Sequence, residues 1–396
     1  MAKLFSRDEW RSIHTEFNSK ASDYGLPERQ YGSVSLASFN IRKLGAAKNR
    51  NANEWEFLTN IIKAFDLVAV QEVGDNLSGL RHIMDLLGPD YSLVVSDQTG
   101  VYPGVMGNLE RLAFIYKWSV VSRREVASDI TFDRSHVLDL IADNLDGISQ
   151  AMSRYIQRRN RWREGRGSKP KLSSVNMPVF LSFIRQPHCV SFEIHGNPGT
   201  EPIKFMAVNA HLYFGKRLDD RRREITALTG WITDRLKKSK HVYAPNFILL
   251  GDLNFDYDNP ERDRAWSDER LKSFNDATGE GVNVNFPFLN KHKCRPDIFR
   301  TNARRNQTYD QIGLFGSDDW VWNYDKNEAL PDSSTGPDYG MFDYQELFSK
   351  ALFNKKFDTL TDAEIKSLWG KFEHRISDHM PIWIRLPLPV NVYNHD

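Results

Sequence analysis

Residues 374–386 read HRISDHMPIWIRL, and they put Asp378 and His379 side by side just before a run that alternates like a strand. Adjacent strand residues point to opposite faces, but a loop at the mouth of a strand can turn both side chains into one cleft. A carboxylate that holds a hard cation, beside an imidazole that takes a proton, suits metal-assisted phosphodiester hydrolysis. Alone, Ser377-Asp378-His379 is more often an ordinary surface turn, so its meaning depends on partners elsewhere.

Oxygen-bearing side chains lie at the ends of three more predicted strands. The segment ASFNIRK ends the first strand with Asn40, and DLVAVQEVGDN ends the second with Glu72. In NFILLGDLNFDYDNP an apolar run opens into Asp252 and Asn254, which face the same way if the strand persists. Oxygen donors suit Mg²⁺ or Mn²⁺, and an asparagine can also bond a phosphate oxygen. An ordinary strand-ending acid and a hydrated turn are the alternative interpretations.

Two histidines and two further acids complete this set of strand-end residues. FMAVNAHLYFG ends a strand in His211, TYDQIGLF begins one with Asp310, and NLERLAFIYK begins one with Glu110. A lone strand-end histidine is usually structural, but a catalytic imidazole needs a carboxylate that fixes its tautomer and raises its basicity. Arg185, in FLSFIRQPHCVSFEI, supplies a guanidinium that can grip a phosphate with two hydrogen bonds.

The spacing of apolar residues predicts strands that alternate with helices in one large mixed α/β domain. Predicted strands cover 33–39, 66–71, 91–96, 111–117, 179–185, 189–194, 203–211, 246–251, 311–315 and 382–386. Capping boxes at Ser6 with Glu9 and at Thr361 with Glu364 each predict the start of a helix. Another helix is predicted over 219–238.

Composition is that of a globular protein. The 396 residues are 40% hydrophobic and 27% charged, and the formal net charge of +1 means that any polyanionic partner must meet a local patch. No apolar run approaches the roughly 20 residues of a membrane span, and the start MAKLFSRDEW lacks a secretory apolar core. Cys189 and Cys294 are the two cysteines, so we expect no disulfide framework and a reducing, cytoplasmic location.

One basic segment departs from the alternation of strands and helices. Residues 135–160 read as a helix that runs into RYIQRRNRWREGRGSKPK. Its cations are Arg154, Arg158, Arg159, Arg161, Arg163, Arg166, Lys169 and Lys171, against the single acid Glu164. One interpretation is a solvated helix end and loop. The other is a strip that neutralises several phosphates, with Tyr155 and Trp162 able to stack on bases; composition does not choose between them.

Taken in order, the motifs FN, QE, ER…Y, RQP…F, NAHL, GDLN, YDQI and SDH resemble the endonuclease/exonuclease/phosphatase superfamily. The chain is most similar to the deoxyribonuclease I-like nucleases, over about Val34 to Leu388. The resemblance implies a four-layer αββα sandwich, an α/β (α+β) fold of two mixed β-sheets flanked by helices. The resemblance places the catalytic domain at 34–390, and we expect two additions that the family core does not explain, an N-terminal helical extension at 1–33 and an insertion at about 127–176.

The resemblance implies a metal and a general base at one side of the site. Glu72 would be the principal metal ligand, with Asn40 and Asp378 close to the ion. His379 would be the base for the attacking water, oriented by Asp310. The implied ion is Mg²⁺ or Mn²⁺, with Ca²⁺ as a candidate structural ion.

The remaining roles concern the phosphate and the leaving group. His211, partnered by Glu110, would protonate the leaving oxygen or stabilise its charge. Asp252 and Asn254 would bind the scissile phosphate or a second metal ion. Arg185 would contact nucleic-acid phosphate. The insertion arginines Arg158, Arg159, Arg161 and Arg163 would extend that contact.

The function implied is metal-dependent hydrolysis of nucleic acid, with DNA favoured over RNA, and activity should fall below about pH 6 because a histidine base must be neutral. Two alternatives remain: a phosphoesterase of the same fold that acts on a phospholipid or phosphoinositide, and a binding module without activity. GDLNFDYDNP leans toward the phosphoinositide phosphatases, but QTYDQI stands where their Pro-Ala-Trp-Cys-Asp-Arg signature would be. The insertion could also dock a protein partner or inhibitor.

Overall fold

The computed structural model describes residues 4–98, 109–170, 175–213, 218–237, 244–254, 265–266, 269–270, 272–273, 276, 283–289, 299–316 and 339–389. The strands are β1 Ser33–Leu44, β2 Leu67–Val73, β3 Tyr91–Val95, β4 Arg111–Lys117, β5 Val121–Asp129, β6 His188–Ile194, β7 Ile203–His211, β8 Phe247–Asp252, β9 Asn283–Asn285, β10 Asp310–Gly316, β11 Tyr339–Met341 and β12 Ile382–Pro387. The helices are α1 Arg7–Lys20, α2 Ala52–Lys63, α3 Ser78–Leu87, α4 Arg134–Asp143, α5 Leu145–Arg163, α6 Leu218–Lys237, α7 Tyr344–Phe353 and α8 Asp362–Phe372.

The strands form two six-stranded mixed sheets. The first sheet has the order β11-β12-β1-β2-β4-β3, and the second has the order β5-β6-β7-β8-β10-β9. One parallel pair lies in each sheet, β1 with β2 and β7 with β8, and the neighbouring pairs are antiparallel. The mixed character predicted from the sequence is therefore confirmed.

Alternating side chains of β7 divide between two cores, as expected for a strand covered on both faces. Phe205 and Ala207 belong to a core shared with the first sheet. Met206 and Val208 belong to a second core, which they share with Ile225 and other residues of α6. The second sheet thus packs on the first sheet with one face and on a helix with the other, which is the sandwich arrangement expected.

The N-terminal helix packs into the first core rather than standing apart from it. The capping box of Ser6 with Glu9 begins α1 as predicted, and Trp10, Ile13 and Phe17 are buried. Aromatic rings of this helix contact Phe57 at 5.5–6.0 Å between ring centroids. The capping box of Thr361 with Glu364 likewise begins α8, and α6 confirms the helix predicted over 219–238. The domain boundaries themselves stay a prediction.

One predicted strand is wrong and three strands were missed. Residues 179–185 form bends and irregular structure instead of a strand, between Pro178 and Pro187, which cannot donate to a strand ladder. β5, β9 and β11 were not predicted. The sequence of β5, VSRREVASD, is mostly polar and exposed because it lies at the edge of the second sheet, so apolar alternation does not mark it.

The single helix predicted over 135–160 is two helices. The chain breaks at Asn144, which is the C-cap of α4 and the N-cap of α5. Neither helix has a fully buried residue, and Leu138 and Leu145 are about half exposed, at 50% and 56%. The apolar face expected there is therefore only half covered.

Cys189 is buried with a free thiol, and Cys294 lies outside the described residues, as does Lys171 of the basic segment. Burial raises the pKa of the Cys189 thiol to about 12, so this thiol stays protonated. No helix in the described ranges is both long enough and apolar enough to span a bilayer.

Candidate active site

Strand register brings the strand-end polar residues together at one rim of the sandwich. β1 and β2 are parallel, so Asn40 and Glu72 reach the same edge of the first sheet. β7 and β8 are parallel, and His211 lies opposite Asp252. Asp310, which begins the antiparallel β10, also lies opposite Asp252. These pairings could not be predicted from the sequence, because they depend on the order of the strands within each sheet.

A buried amide pair joins the two sheets directly beneath this rim. Gln71 Nε2 donates to Asn209 Oδ1 at 2.7 Å, and Asn209 Nδ2 donates to the carbonyls of Val70 (3.1 Å) and Ala113 (2.9 Å) in the facing sheet. Both amide side chains are fully buried. Because they lie one and two residues before the rim glutamate and the rim histidine, they fix the spacing between the two halves of the site.

His379 and Asp310 form a buried pair. His379 Nδ1 lies 2.8 Å from Asp310 Oδ2, and Thr301 Oγ1 donates to the same oxygen at 2.6 Å. The Tyr344 hydroxyl lies 2.8 and 3.0 Å from the carbonyl oxygens of Ser377 and His379 and holds this turn in place. The predicted pairing of this histidine with this aspartate is confirmed.

The second histidine lies against an acid and an arginine. His211 Nδ1 is 3.0 Å from Glu110 Oε2, and Arg185 Nε is 2.6 Å from the same oxygen. Arg185 Nη1 donates to the carbonyls of His211 and Leu212, both at 3.1 Å. The predicted Glu110–His211 pairing is confirmed. The guanidinium predicted to grip phosphate is 6% exposed and bonds the protein's own backbone.

Asp252 stands between the two histidines. Its Oδ2 lies 3.5 Å from His211 Nε2, 3.6 Å from His379 Nε2 and 2.9 Å from the donating Nδ2 of Asn40. Asp252 is 2% exposed. A group bound at this carboxylate would therefore be within reach of both imidazoles.

The GDLN motif owes its shape to a glycine. Gly251 has φ +155°, and a Cβ there would lie 1.9 Å from the Ala210 carbonyl oxygen of the neighbouring strand. Asn254 follows with φ +47°, its backbone N–H donates to Asp252 Oδ1 at 3.1 Å, and its Nδ2 donates to the Leu212 carbonyl at 2.8 Å. The chain can turn here because glycine tolerates such contact.

The predicted metal ligands lie on the first-sheet side of the rim. Glu72 has φ +59°, a strained conformation that is typical of functional sites. Its Oε2 accepts from the Lys43 N–H at 2.9 Å, and its Oε1 lies 3.4 Å from Asn40 Nδ2. Asp378 Oδ2 pairs with Arg42 Nη1 at 2.8 Å, an arginine to which the sequence reasoning gave no role.

Two oxygens among these residues fit a cation. Among the described residues, Asn40 Oδ1 and Asp378 Oδ1 are buried and receive no hydrogen bond, which is costly unless something electropositive binds them. A separate group, Asp252, Asp310 and His379, has ligand atoms within 4.8 Å of one another. Since His379 Nδ1 is already paired with Asp310, the oxygen set of Glu72, Asn40 and Asp378 fits Mg²⁺ or Mn²⁺ better.

The charges of the site favour a protonated His379. Burial by itself lowers the pKa of His379, but the nearby carboxylates of Asp310 and Asp252 more than offset this and hold it well above the ordinary imidazole value. Burial raises the pKa of Asp252, but the two histidines more than offset this and keep it low. The pKa of Glu110 is also lowered, because bonds to His211 and Arg185 outweigh its burial.

Ser377, Thr301 and Tyr344 support the His379–Asp310 pair and the turn at 377–379, and the sequence alone predicted no function for them. Ser377 Oγ donates to the Asn40 carbonyl at 2.6 Å and accepts from the His379 N–H at 3.1 Å. Ser377 therefore ties the end of β1 to the SDH tripeptide. The only signal for it was its place inside that tripeptide; Thr301 and Tyr344 come from distant segments without a motif.

The insertion leaves and rejoins the second sheet at the same rim. Asp129, which ends β5, pairs with His188, and His188 pairs with Asn209, two residues before His211. The predicted nucleic-acid contacts Arg158, Arg159, Arg161 and Arg163 lie on α5, outside the rim cluster. Arg154, Arg158 and Arg161 recur at helical spacing and are exposed, so they form one cationic face.

A cavity of about 1090 Å³ lies between α4 and α6. Phe132, His136 and Phe180 line one side, and Arg222 and Trp231 line the other. None of the rim residues lines this cavity, so the cavity and the cluster of rim residues do not coincide.

The model of the endonuclease/exonuclease/phosphatase family matches residues 37–379. The chain belongs to this family. Members of the endonuclease/exonuclease/phosphatase family are hydrolases of phosphate ester bonds, which agrees with a rim of histidines and carboxylates. The resemblance stated from the motifs is confirmed.

Curated relatives in the family include deoxyribonucleases. The chain is 24% identical over 365 residues to deoxyribonuclease gamma of Rattus norvegicus, covering 89% of this chain and 84% of the relative. It is 32% identical over 293 residues to deoxyribonuclease-1 of Oryctolagus cuniculus, covering 72% and 78%. Among solved structures, a family protein from Bacteroides thetaiotaomicron is 13% identical with a TM-score of 0.47, covering 93% of this chain and 100% of that one.

Proposed function

We propose that this protein is a metal-dependent nuclease that hydrolyses phosphodiester bonds of nucleic acid, with DNA favoured over RNA. The observation that carries the proposal is the pair of histidines on either side of Asp252, at 3.5 and 3.6 Å from its Oδ2. Each imidazole has its own carboxylate partner. One histidine can therefore take a proton while the other supplies one, as direct attack of water on a phosphodiester requires.

Each histidine has its Nδ1 engaged by a carboxylate, which leaves Nε2 free for proton transfer, and the proposed assignment of base and acid follows the family resemblance. His379 Nδ1 is held by Asp310 at 2.8 Å, so Nε2 is the nitrogen that takes the proton of the attacking water. His211 is held through Nδ1 by Glu110 at 3.0 Å, so its Nε2 donates to the leaving oxygen or stabilises its charge. The carboxylates fix the tautomers.

Glu72, Asn40 and Asp378 are proposed to hold a divalent cation, Mg²⁺ or Mn²⁺; Ca²⁺ as a further, structural ion also stays a proposal. The two buried, undonated oxygens of Asn40 and Asp378 support this choice within the described chain. Such an ion polarises phosphate oxygens and stabilises the charge that develops on them. Asp378 would then interact with both Arg42 and the cation.

Asp252, Asn254 and Arg185 are proposed to complete the phosphate site. Asp252 and Asn254 orient the scissile phosphate or take part in holding a second ion. Arg185 contributes positive charge close to His211 while holding the backbone of that strand end, which is supported by its bonds to the His211 and Leu212 carbonyls. Positive charge fixed beside the phosphate favours the transition state.

DNA is the favoured substrate for two reasons. The curated relatives quoted above are named as deoxyribonucleases. The exposed cationic face of α5 belongs to an insertion that starts and ends at the catalytic rim, which suits contact with a phosphate backbone. A protein partner or inhibitor remains a second proposed ligand of this insertion.

The free Cys189 thiol supports the proposal of a reducing, cytoplasmic location.

A phosphoesterase acting on an anionic phospholipid is the second candidate, because α5 also exposes apolar side chains. Leu145, Ile156 and Trp162 are 56%, 39% and 37% exposed on the helix that carries the arginines. A basic helix with exposed apolar groups also suits a lipid surface.

A substrate panel separates these candidates. Purified protein with Mg²⁺ or Mn²⁺ is given supercoiled plasmid, single-stranded DNA, RNA, and vesicles that contain phosphoinositide. We expect cleavage of DNA that is abolished by a chelator and restored by the metal. Phosphate release from vesicles without DNA cleavage would replace the nuclease with the second candidate, and no turnover of any substrate would favour a binding module.

A further inference from the structure

A buried glutamate on α6 contacts the backbone beside both Arg185 and His211. Glu224 is 6% exposed and lies in the second turn of α6, the helix that follows β7. Its Oε1 accepts the Ile184 N–H at 2.9 Å, and its Oε2 accepts the Tyr213 N–H at 2.5 Å. Ile184 directly precedes Arg185, and Tyr213 follows His211 by two residues.

We propose that Glu224 is a positioning residue that fixes the Arg185 segment and the His211 strand end relative to each other. This inference rests on the proposed roles of those two residues. Arg185 also joins the two segments, by donating to the carbonyls of His211 and Leu212. The two segments are thus cross-linked twice, through backbone N–H groups at Glu224 and through carbonyls at Arg185.

Only a carboxylate satisfies both N–H groups at once. A glutamine offers one oxygen, so its NH₂ group would meet the other backbone N–H, donor against donor. One buried N–H would lose its acceptor, which is costly inside a protein. Glu224 cannot be replaced by a helix-stabilising polar residue of the same size without releasing one of the segments.

The environment of Glu224 makes this clamp sensitive to protonation. Burial raises the pKa of Glu224 to about 7, although the two backbone N–H groups, Arg185 and His211 partly offset that rise. Above that pH the carboxylate is charged and both oxygens accept strongly. Below it the proton occupies one oxygen and weakens one of the two bonds.

Glu224→Gln tests the proposal, with Thr229→Val as the matched control. Thr229 is also buried on α6, and its hydroxyl donates to the Ile225 and Thr226 carbonyls of the same helix. We expect Glu224→Gln to lower kcat on plasmid about 10- to 100-fold with KM little changed, and Thr229→Val to keep kcat at equal thermal stability. Glu224→Asp, which keeps both acceptor oxygens, should recover part of the loss.

Hydrogen exchange gives a readout that does not depend on the substrate. Peptides that contain the Ile184 and Tyr213 amides should exchange faster in Glu224→Gln than in wild type, and no faster in Thr229→Val. Unchanged exchange together with unchanged kcat would overturn the clamp. Faster exchange in a protein that cleaves no DNA would overturn the nuclease proposal alone.

Discussion

Asp252 Oδ2 lies within 3.6 Å of one nitrogen from each of Asn40, His211 and His379. At the scale of single residues this convergence is the centre of the candidate site, because it puts the proposed metal ligand Asn40 and both proposed proton-transfer groups around one carboxylate. Burial makes each of these charges matter more than it would in water.

The pH dependence of activity should be set by the carboxylates next to His379. A base must be unprotonated, and the raised pKa of His379 moves the acid limb of activity above pH 6.5, higher than an isolated imidazole implies. Asp310→Asn removes one of the charges that hold the proton on. We expect its limb to move to lower pH by about one to three units, with a lower plateau because the tautomer is no longer fixed.

The measurement is kcat between pH 5 and 9 at fixed metal concentration. Asp129→Asn is a matched control, since Asp129 pairs with His188 at 2.9 Å in a second His–Asp pair outside the cluster. An acid limb that stays in place in Asp310→Asn, or that moves equally in Asp129→Asn, would remove His379 from the role of base.

Glu72 should control the response to metal. We expect Glu72→Gln to raise the Mg²⁺ or Mn²⁺ concentration needed for half-maximal activity by at least about 10-fold, because a charged oxygen ligand is replaced by a neutral one. Titration of metal against plasmid cleavage measures it. Glu193→Gln, a strand carboxylate paired with Arg124 and Lys204, is the control, and an identical metal curve for Glu72→Gln would contradict the assignment.

At the scale of elements, predictability depended on burial. Strands covered on both faces, such as β7 and β8, were predicted from apolar runs, and each carried its rim residue at the expected end. The edge strand β5 was missed because much of it is exposed to solvent, so its sequence lacks the apolar alternation of a buried strand. The break at Asn144 was missed because an apolar spacing continues across it.

Contacts between the candidate site residues were predictable from the sequence in part only. The pairs Glu110–His211 and Asp310–His379 are in contact as predicted, since strand-end acids and histidines gather at one rim. Arg185 was expected to face substrate, yet it bonds the backbone of His211 and Leu212. Which partner an arginine takes depends on the neighbouring chain, and the sequence carries no signal for that.

The cationic face of α5 should act through salt-dependent binding. Each phosphate contact adds about 0.9 to the slope of log affinity against log salt on duplex DNA. We expect the triple variant Arg154→Gln, Arg158→Gln, Arg161→Gln to reduce that slope by about 2 to 3, measured with catalytically inactive protein and a labelled duplex.

The control for this experiment removes three exposed cations elsewhere. Replacing Arg7, Arg11 and Lys20 of α1 by glutamine changes the net charge equally. If both triple variants lower the slope by the same amount, net charge explains the effect and α5 has no special contact. An unchanged slope in the α5 variant would show that this helix is a solvated surface without phosphate contacts.

At the scale of the whole molecule, a net charge of +1 means that attraction to a polyanion must come from local patches. The buried Gln71–Asn209 hydrogen bond and the rim pairs hold the two sheets in a fixed relative position. We therefore expect activity to depend on rim residues from both sheets. Loss of a single rim side chain should abolish activity while the fold persists.

Plasmid cleavage by wild type and His379→Ala, each freed of host nuclease, tests the central claim most directly. Both proteins are assayed with Mg²⁺ and with Mn²⁺ at pH 8, and circular dichroism checks that the variant is folded. We expect metal-dependent cleavage by wild type and a rate lower by at least about 1000-fold in His379→Ala, because the base for the attacking water is absent. Equal cleavage by the two proteins would contradict the nuclease mechanism.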